Sequence, residues 1–393
     1  MSHYTCPYCF TKVNPADVWF RCASQSCEEP NEVRTRYEND LEPTQPLPPE
    51  MIKRSYSTVF KGQSRDVGGC TKCYRQTSIR VCASCHSDFP AGIDGFANYV
   101  IAVVGARETG KSHYIAVLIQ ILKELNNRFN WTFSPLDDDT MTLYKDKFYS
   151  PLYLQQKPID QTAGAKGNVS AKRPLVYGLK MRDSGKQVIL AFFDSAGEDL
   201  ESADNMRKTN KYIASASGII LLLDPMLMPK IRSEVRTDNL PDEKMIYYHG
   251  HIIDTLSNFL YASNSYNRTL NHSVPLAVTF SKIDMLRHIW GDEFERFTTP
   301  IYHKKNMLNL ETFESNSDFI ENWLVANSPD LLNGTQLFTK HHFFGISALG
   351  ADPKKTDPDP ASKKRTIRGG VKPMHVEDPF LWLLHANGLI PGR

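Results

Sequence analysis

The sequence predicts an α/β fold with a doubly wound, mostly parallel sheet, preceded by a small cysteine-rich module. Short, continuous apolar runs recur from about residue 96 onward. A segment with helical spacing lies between the first two runs, and all eight cysteines fall between Cys6 and Cys85. The runs and the helical segment favour a layered α/β domain, and the cysteine distribution marks a separate module.

The apolar runs are continuous rather than alternating, which is typical of strands buried on both faces of a parallel sheet. A further run, LVYGLKM (175–181), has the character of an edge strand. Leucine and isoleucine recur with helical spacing from Ile115 to Leu125. The predicted strands are YVIAVV (99–104), VILAFF (188–193), GIILLL (218–223), PLAVTF (275–280) and HFFGIS (342–347).

Two domains are expected, a module at 1–95 with a proline-rich connector at 41–50, and an α/β domain at 96–393. Insertions are expected at about 130–172 and 285–340. The net charge of +2 gives no whole-chain argument for nucleic acid or an anionic membrane. We expect a cytoplasmic protein without a membrane span, because neither a signal peptide nor an apolar run of ~20 residues is found.

A glycine-rich loop, GARETGKS (105–112), follows the first apolar run. The pattern G-x-x-x-x-G-K-[ST] lets backbone N–H groups surround phosphate at a helix N-terminus, where the helix dipole favours anions. The lysine would reach the β and γ phosphates, and the serine hydroxyl would coordinate Mg²⁺. The candidate nucleotide-binding residues of this loop are Gly105, Ala106, Arg107, Glu108, Thr109, Gly110, Lys111, Ser112 and His113.

Later strand ends add residues suited to nucleotide. Asp194 can hold Mg²⁺ through water, and the Gly197 N–H can approach a γ-phosphate because no side chain intervenes. Asp284 in "AVTFSKID" can accept hydrogen bonds from guanine N1–H and N2–H₂, which adenine does not offer in that arrangement. The final strand supplies Ser347 and Ala348, whose backbone N–H groups would meet guanine O6, with Leu349 next in the chain.

Taken in order, G-x-x-x-x-G-K-S, D-x-x-G, [NTS]-K-x-D and S-A-x resemble the Ras-like, TRAFAC-class P-loop GTPases over about residues 98–393. The resemblance implies GTP as ligand, with hydrolysis to GDP. The cysteine-rich head, the strand GIILLLDP and the terminal VEDPFLWLLHANGLI look closest to bacterial double-GTPase (DO-GTPase) proteins, a family associated with conflict or defence systems. By the resemblance, Lys111 and Ser112 bind phosphate and Mg²⁺, Asp194 and Gly197 form the second switch, Lys282 and Asp284 select guanine, and Ser347 and Ala348 close the base pocket.

The chain departs from the family pattern at several positions. Ser281 replaces the usual base-recognition Asn, and Glu198 replaces the Gln that orients the attacking water, so slow hydrolysis is expected. Arg107 stands where glycine is common, and an outward orientation is favoured over a role at the phosphates. Thr162, with Ser170 behind it, is the candidate for the first switch. The candidate catalytic residues are therefore Lys111, Thr162, Gly197 and Glu198, and the candidate Mg²⁺ ligands are Ser112, Thr162 and Asp194.

The cysteines have the spacing of two tetrahedral sites. Four thiolates without histidine suit structural Zn²⁺, which predicts a zinc-ribbon-like module. One arrangement is sequential, with Cys6, Cys9, Cys22 and Cys27 in one site and Cys70, Cys73, Cys82 and Cys85 in the other. The alternative is a cross-brace of Cys6, Cys9, Cys70 and Cys73, leaving Cys22, Cys27, Cys82 and Cys85.

Three functions from different classes follow from these features. The first is a Mg²⁺-dependent GTP switch whose head and switch regions dock a protein partner, with a GTPase-activating or exchange partner. The second is a P-loop ATPase or nucleotide kinase in which Asp284 is structural. The third is a zinc-ribbon protein that binds nucleic acid through the basic stretch 51–80 and senses nucleotide without turning it over, and we favour protein docking over it.

Overall fold

The structure is a computed structural model of the 393-residue chain. It describes residues 4–14, 16–24, 27, 58–62, 66–90, 93, 96–160, 174–193, 211–263, 272–301, 306–356 and 365–393. The candidate switch residues lie outside this set and stay predictions from sequence. They are Thr162, Ser170, Asp194, Gly197 and Glu198.

The N-terminal head (residues 4–93) consists of short antiparallel strands joined by cysteine-bearing turns. The described strands form one sheet of three strands, in the order β4-β3-β7, and two hairpins, β1-β2 and β5-β6. Their bounds are β1 Tyr4–Thr5, β2 Lys12–Val13, β3 Trp19–Arg21, β4 Val59–Lys61, β5 Gly68–Gly69, β6 Gln76–Thr77 and β7 Arg80–Val81.

A seven-stranded sheet organises the rest of the chain, in the order β14-β13-β12-β8-β11-β10-β9. The five predicted strands are confirmed, and each pairs in parallel with its neighbours among them. This confirms the doubly wound, mostly parallel α/β class. The strands are β8 Ala97–Gly105, β9 Trp131–Pro135, β10 Leu175–Met181, β11 Gln187–Phe192, β12 Gly218–Leu223, β13 Leu276–Phe280 and β14 His341–Gly345.

The expectation that 175–181 is an edge strand is wrong. β10 pairs antiparallel with β11 on one side and with β9 on the other, so the outer position belongs to β9. β9 comes from the predicted insertion at 130–172, and Phe133 on it stacks against Tyr177 on β10 with ring centroids 4.6 Å apart. Stacked aromatic rings bury a large apolar area, which explains why the insertion extends the sheet.

Helices cover both faces of the sheet. On one face, α1 and α10 pack against side chains such as Val103 and Leu190. On the other face, α6 and α8 pack against the alternate residues, such as Ala102 and Leu221. The helices are α1 Lys111–Glu124, α2 Asp138–Tyr144, α3 Lys211–Ala214, α4 Pro229–Glu234, α5 Met245–Gly250, α6 Ile252–Ser263, α7 Arg287–Trp290, α8 Leu310–Asn327, α9 Pro329–Thr335 and α10 Asp378–Ala386.

Shorter elements complete the described chain. A π-helix at Lys145–Leu154 follows α2, and 3₁₀ turns lie at Pro225–Leu227, Ile283–Leu286 and Gly291–Phe297. A hairpin of β15 (Lys354–Lys355) and β16 (Arg365–Thr366) follows the last sheet strand. Within the described ranges, no helix is both long and apolar enough to cross a membrane.

The cysteine head covers part of the second face of the sheet. Ile189 and Val176 point to the face opposite Val188 and Leu190. They share an apolar cluster with Tyr8 and with two cysteines of the head, Cys6 and Cys82. Gly178 lies in the same region, where an added Cβ would meet Leu136 Cδ2 at 2.8 Å. The head therefore packs on β10 and β11, and the division at residue 95 stays a prediction from sequence.

Candidate functional site

The glycine loop joins β8 to α1 at the carboxyl edge of the parallel strands. Glu108 and Gly110 have positive φ angles of 66° and 89°, and Gly110 is the residue before the first turn of α1. At Gly105, an added Cβ would lie 2.7 Å from Leu222 O on the neighbouring strand. The two glycines are therefore required, one by a left-handed turn and the other by close packing.

Lys111 closes the loop from inside. Its Nζ donates to Gly105 O at 2.7 Å and to Ala106 O at 3.0 Å, and the side chain is buried. The Thr109 hydroxyl also donates to Ala106 O, at 2.9 Å. These bonds hold the loop in a curved form. The Lys111 ammonium group and the N-terminus of α1 both lie at the loop, and both favour a bound anion.

His113 links α1 to the end of the described insertion. Its Nε2 accepts a hydrogen bond from the Ile159 N–H at 3.0 Å. Burial, with the charge of Lys282, lowers the pKa of His113 to about 4. The imidazole is therefore neutral near pH 7 and acts as an acceptor that fixes residues 158–160 beside the glycine loop.

Lys282 connects the predicted base-recognition motif to this loop. It has a left-handed backbone with φ 54°, and its Nζ donates to Glu108 O at 2.9 Å. The same Nζ lies 2.5 Å from Asp224 Oδ2, a carboxylate that is fully buried at the end of β12. Ser281, in place of the usual Asn, donates its hydroxyl to Leu223 O at 3.2 Å and so bonds to the neighbouring strand.

Asp284 lies beside the last strand end. The Ser347 hydroxyl donates to Asp284 Oδ1 at 2.6 Å, and the Gly350 N–H donates in turn to the Ser347 oxygen at 2.9 Å. Burial raises the pKa of Asp284 above its usual value, while the bond from Ser347 opposes that rise. The carboxylate is thus held in one orientation by a chain of hydrogen bonds.

The backbone amide of Ser347 is bonded within the protein rather than open to a ligand. The Ser347 N–H donates to Met374 O at 3.0 Å, because residue 347 pairs with residue 374 in an isolated antiparallel bridge. The expectation that this amide meets guanine O6 therefore does not fit the structure, and Ala348 keeps the predicted role.

A single cavity of about 280 Å³ joins these groups. Both the glycine loop and a second group, Asp284 with Ser347, Ala348 and Leu349, line this cavity. Arg107 is exposed at the rim. Residues at two strand ends far apart in sequence thus meet in one place, as expected for ligand sites in open α/β sheets.

Asp224 and Asp352 are site residues that the sequence analysis missed. Asp352 lines the cavity and accepts a hydrogen bond from the Thr237 hydroxyl at 2.7 Å, which ties the two loops around the cavity together. Asp224 carried a usable signal, because a charged residue that ends an all-apolar strand must find a partner. Asp352 lies in a loop rich in charge, where no such signal distinguishes it.

The eight cysteines form two groups of four, and both predicted pairings are wrong. The first and last cysteine motifs of the head share one group, which packs against Val176 and Ile189 of the sheet, and the two motifs between them in sequence share the other. The outer quartet is Cys6, Cys9, Cys82 and Cys85, and the inner quartet is Cys22, Cys27, Cys70 and Cys73.

The geometry of both quartets fits Zn²⁺. Within each group all four sulfurs lie within 4.8 Å of one another. Sγ–Sγ distances are 3.8 Å for Cys6–Cys85 and 3.7 Å for Cys27–Cys70. Four sulfurs at ~2.3 Å from a tetrahedral ion lie ~3.8 Å apart, so the donor set needs little adjustment to receive zinc.

Together, the sheet order, the glycine loop and the cavity define a nucleotide-binding α/β protein with a P-loop. The chain belongs to the Double-GTPase 2 (DO-GTPase2) family, whose model matches residues 99–317. This agrees with the resemblance drawn from the motifs.

The chain is similar along nearly its full length to a mycobacterial protein. It is 27% identical over 412 residues, covering 98% of this chain and 99% of the other, to the protein of Mycolicibacterium smegmatis named "Putative ESX-1 scaffolding and assembly protein SaeC".

Two solved structures align with this chain at low overall similarity. One is the small GTPase Arl6 BBS3 of Trypanosoma brucei with bound GppNp, at 12% identity, covering 75% of this chain and 99% of that chain, with a TM-score of 0.29. The other is the GTPase-like domain of S. cerevisiae Ski7 bound to GTP, at 13% identity, covering 75% of this chain and 51% of that chain, with a TM-score of 0.34. The fold assignment rests on strand order and register, not on these matches.

Proposed function

We propose that this chain is a Mg²⁺-dependent, guanine-nucleotide-binding switch that hydrolyses GTP to GDP slowly. The observation that carries the proposal is that one cavity is lined by both the glycine loop and Asp284. Lys282 links the two, because its Nζ donates to Glu108 O of the loop and Asp284 lies two residues further along the chain. Phosphate chemistry and base recognition thus share one site.

At the phosphate end, Lys111 would neutralise charge on the β and γ phosphates. Ser112 would hold Mg²⁺, with Asp194 and Thr162 as further ligands by the family resemblance. The ion would neutralise charge that develops on the transferred phosphate. Gly197 would donate its N–H to the γ-phosphate, and Glu198 would accept a hydrogen bond from the attacking water. A carboxylate near that phosphate is a poorer choice than Gln, which supports a slow rate.

At the base end, the Asp284 carboxylate would accept from guanine N1–H and N2–H₂, and the Ala348 N–H would donate to O6. Ser347 keeps Asp284 oriented through its hydroxyl rather than binding the base. A buried carboxylate facing adenine would lack a donor, and an unpaired buried acceptor costs ~1–3 kcal/mol or more. The site therefore favours guanine.

The head would carry two Zn²⁺ ions and dock a protein partner. The similarity to SaeC, whose printed name describes scaffolding and assembly, supports a role in assembling a protein complex. The association of double-GTPases with conflict systems remains a second context for the same docking role. A GTPase-activating partner would compensate for Glu198, and an exchange partner would speed the release of GDP.

The test is direct binding of fluorescent GTP, GDP and ATP analogues to the purified chain with and without Mg²⁺, followed by phosphate release from GTP. We expect submicromolar to micromolar binding of both guanine nucleotides and weaker ATP binding by about 100-fold. Lys111→Ala should abolish GTP-analogue binding, whereas Lys123→Ala, on the same helix but away from the loop, should leave it unchanged. Equal ATP binding would favour the ATPase alternative.

A further inference from the structure

Two residues that line the nucleotide cavity carry buried polar atoms without a hydrogen bond. We propose that these residues, Asn239 and Arg365, bind the sugar hydroxyls of the nucleotide, so that the site distinguishes a ribose from a deoxyribose. The inference deepens the proposed function and rests on it, because it concerns the ligand of that same cavity.

The two atoms are Asn239 Oδ1 and Arg365 Nη1. Both are shielded from solvent, and neither has a hydrogen-bond partner among the described residues. Both residues line the cavity that the glycine loop and Asp284 also line. Across the described ranges, they are the two cavity-lining residues that carry such an atom. A buried polar atom without a partner is costly, so its presence at the wall of a cavity indicates a ligand that supplies the partner.

The orientation of the Asn239 amide is fixed by its neighbours. Its Nδ2 donates to Asp352 Oδ1 and to Pro353 O, the latter at 2.8 Å. Both partners are acceptors, so the NH₂ group must face them, and the carbonyl oxygen is the atom left without a bond. The backbone N–H of Asn239 donates to the Thr237 hydroxyl oxygen at 2.9 Å, which holds the residue further. Asn239 therefore offers a ligand one acceptor.

Arg365 reaches the cavity from the hairpin that follows the last sheet strand. It lies on β16, where its backbone pairs with Lys355 of β15, two residues after Pro353. The strand is anchored next to Arg365, because the Ile367 N–H donates to Gln156 O at 2.7 Å. A guanidinium group has donors and no acceptor, and it stays charged in proteins. Arg365 therefore offers a ligand a charged donor.

The chemistry of this pair favours a hydroxyl group. A hydroxyl both donates and accepts hydrogen bonds, so it can satisfy the Asn239 oxygen and the Arg365 nitrogen. An ionised phosphate oxygen only accepts, and it would leave Asn239 without a partner. In the proposed site Lys111 binds phosphate and Asp284 binds the base. The sugar is the part of the nucleotide between them, and it carries hydroxyls.

A site that hydrogen-bonds a hydroxyl rejects an analogue that lacks it, because the polar atoms of the protein are then left unpaired. The sugar contact therefore predicts a difference in affinity between GTP and 2′,3′-dideoxy-GTP, which share the base and the phosphates. That difference is separate from the choice between guanine and adenine, which depends on Asp284.

The test is calorimetric titration of the full chain with unlabelled GTP and 2′,3′-dideoxy-GTP, since a label on the sugar would replace the groups under test. We expect the wild type to bind GTP roughly ten- to hundredfold more tightly than the dideoxy form. Arg365→Ala and Asn239→Ala should each weaken GTP binding by roughly three- to thirtyfold and dideoxy-GTP binding by less than about twofold. The ratio of the two affinities should fall, because removing the residue and removing the hydroxyls delete the same bond.

Arg368→Ala is the matched control. Arg368 is an exposed arginine that follows β16, and it is not among the residues that line the cavity. Its removal deletes the same charge, so we expect the wild-type ratio of GTP to dideoxy-GTP affinity. Arg365→Lys keeps the charge but loses the planar fork of donors, and it should lower the ratio as Arg365→Ala does. Circular dichroism checks folding, and a misfolded variant would lose both nucleotides alike.

Equal wild-type affinity for GTP and dideoxy-GTP would overturn the sugar assignment and leave guanine recognition intact. A wild-type ratio in both Arg365→Ala and Asn239→Ala would overturn the assignment of these two residues. Preference for ATP over GTP would instead overturn the proposed function, and the same comparison with ATP and 2′,3′-dideoxy-ATP would then test the sugar contact by itself.

Discussion

The ion pair between Lys282 and the buried Asp224 gives a quantitative test of how this chain holds Lys282, the lysine proposed to select guanine. Asp224→Asn keeps the shape of the side chain and the Oδ1 acceptor that the Met226 N–H uses at 2.9 Å. It removes the charge that faces Lys282 Nζ at 2.5 Å. Lys282 would then lose one of the two contacts that direct its ammonium group toward Glu108 O.

The magnitude follows from the burial of the two partners. Breaking a fully buried pair costs ~3–5 kcal/mol, because one charge is left without a partner or water. Asp224 is fully buried, but the Lys282 side chain is 31% exposed, so the ammonium group can turn to water. We therefore expect a loss of about 1–2 kcal/mol in GTP binding, which is roughly a five- to thirtyfold rise in Kd.

The assay is an equilibrium titration with fluorescent GTP and GDP analogues, with circular dichroism as a check on folding. Asp160→Asn is the matched control, because Asp160 is an exposed carboxylate that lines the same cavity and is not paired with Lys282. It should leave binding within about twofold or tighten it slightly, since a negative charge near phosphate is lost. A folded Asp224→Asn protein with wild-type affinity would refute the reasoning.

Two further predictions concern stability. Burial raises the pKa of Glu377 to about 7, so the folded chain binds more protons than the unfolded chain between the usual value of 4.5 and about 7, and stability should fall as pH rises through that window. Glu377→Gln should remove roughly 2–3 kcal/mol of this fall, measured by chemical unfolding at pH 5 and pH 8, and an unchanged pH dependence would argue against it. Cys85→Ser and Cys27→Ser should each release one zinc per chain, but Cys85→Ser should lower the melting temperature more, because the outer quartet shares a cluster with Val176 and Ile189 on the sheet. Equal losses would contradict docking of the head through that quartet.

The sheet was predictable because its physical signal is local. Five continuous apolar runs, each bounded by polar residues, correspond to five parallel strands, and the residues after them meet at one edge. β9 was not predictable in the same way. Its residues, WTFSP, form a short run inside a long insertion, and their place in the sheet depends on antiparallel pairing with β10, about 45 residues further along, and on the stacking of Phe133 on Tyr177.

The site was predictable in its motifs but not in its internal bonds. The glycine loop, Lys282 and Asp284 each follow a pattern with a fixed spacing. The bond from the Ser347 amide to Met374 depends on a segment about 25 residues further along, which no local spacing encodes. The cysteine pairing is similar, because spacing within each Cys-x₂-Cys turn is local but the choice of partner turn depends on how the head folds onto the sheet.

The central claim is that Asp284 reads a guanine base in the same cavity where Lys111 binds phosphate. The most direct measurement is competition between GTP and xanthosine triphosphate for the wild type and for Asp284→Asn, with Asp352→Asn, another carboxylate that lines the cavity, as the control. The NH₂ group of an Asn side chain can donate a hydrogen bond to the O2 of xanthine. It cannot accept the hydrogen bonds that guanine N1–H and N2–H₂ donate to a carboxylate. We predict that Asp284→Asn shifts preference from GTP toward the xanthine nucleotide by about 100-fold or more, while Asp352→Asn keeps GTP preferred. Wild-type preference for GTP in Asp284→Asn, or no preference in the wild type, would contradict the account.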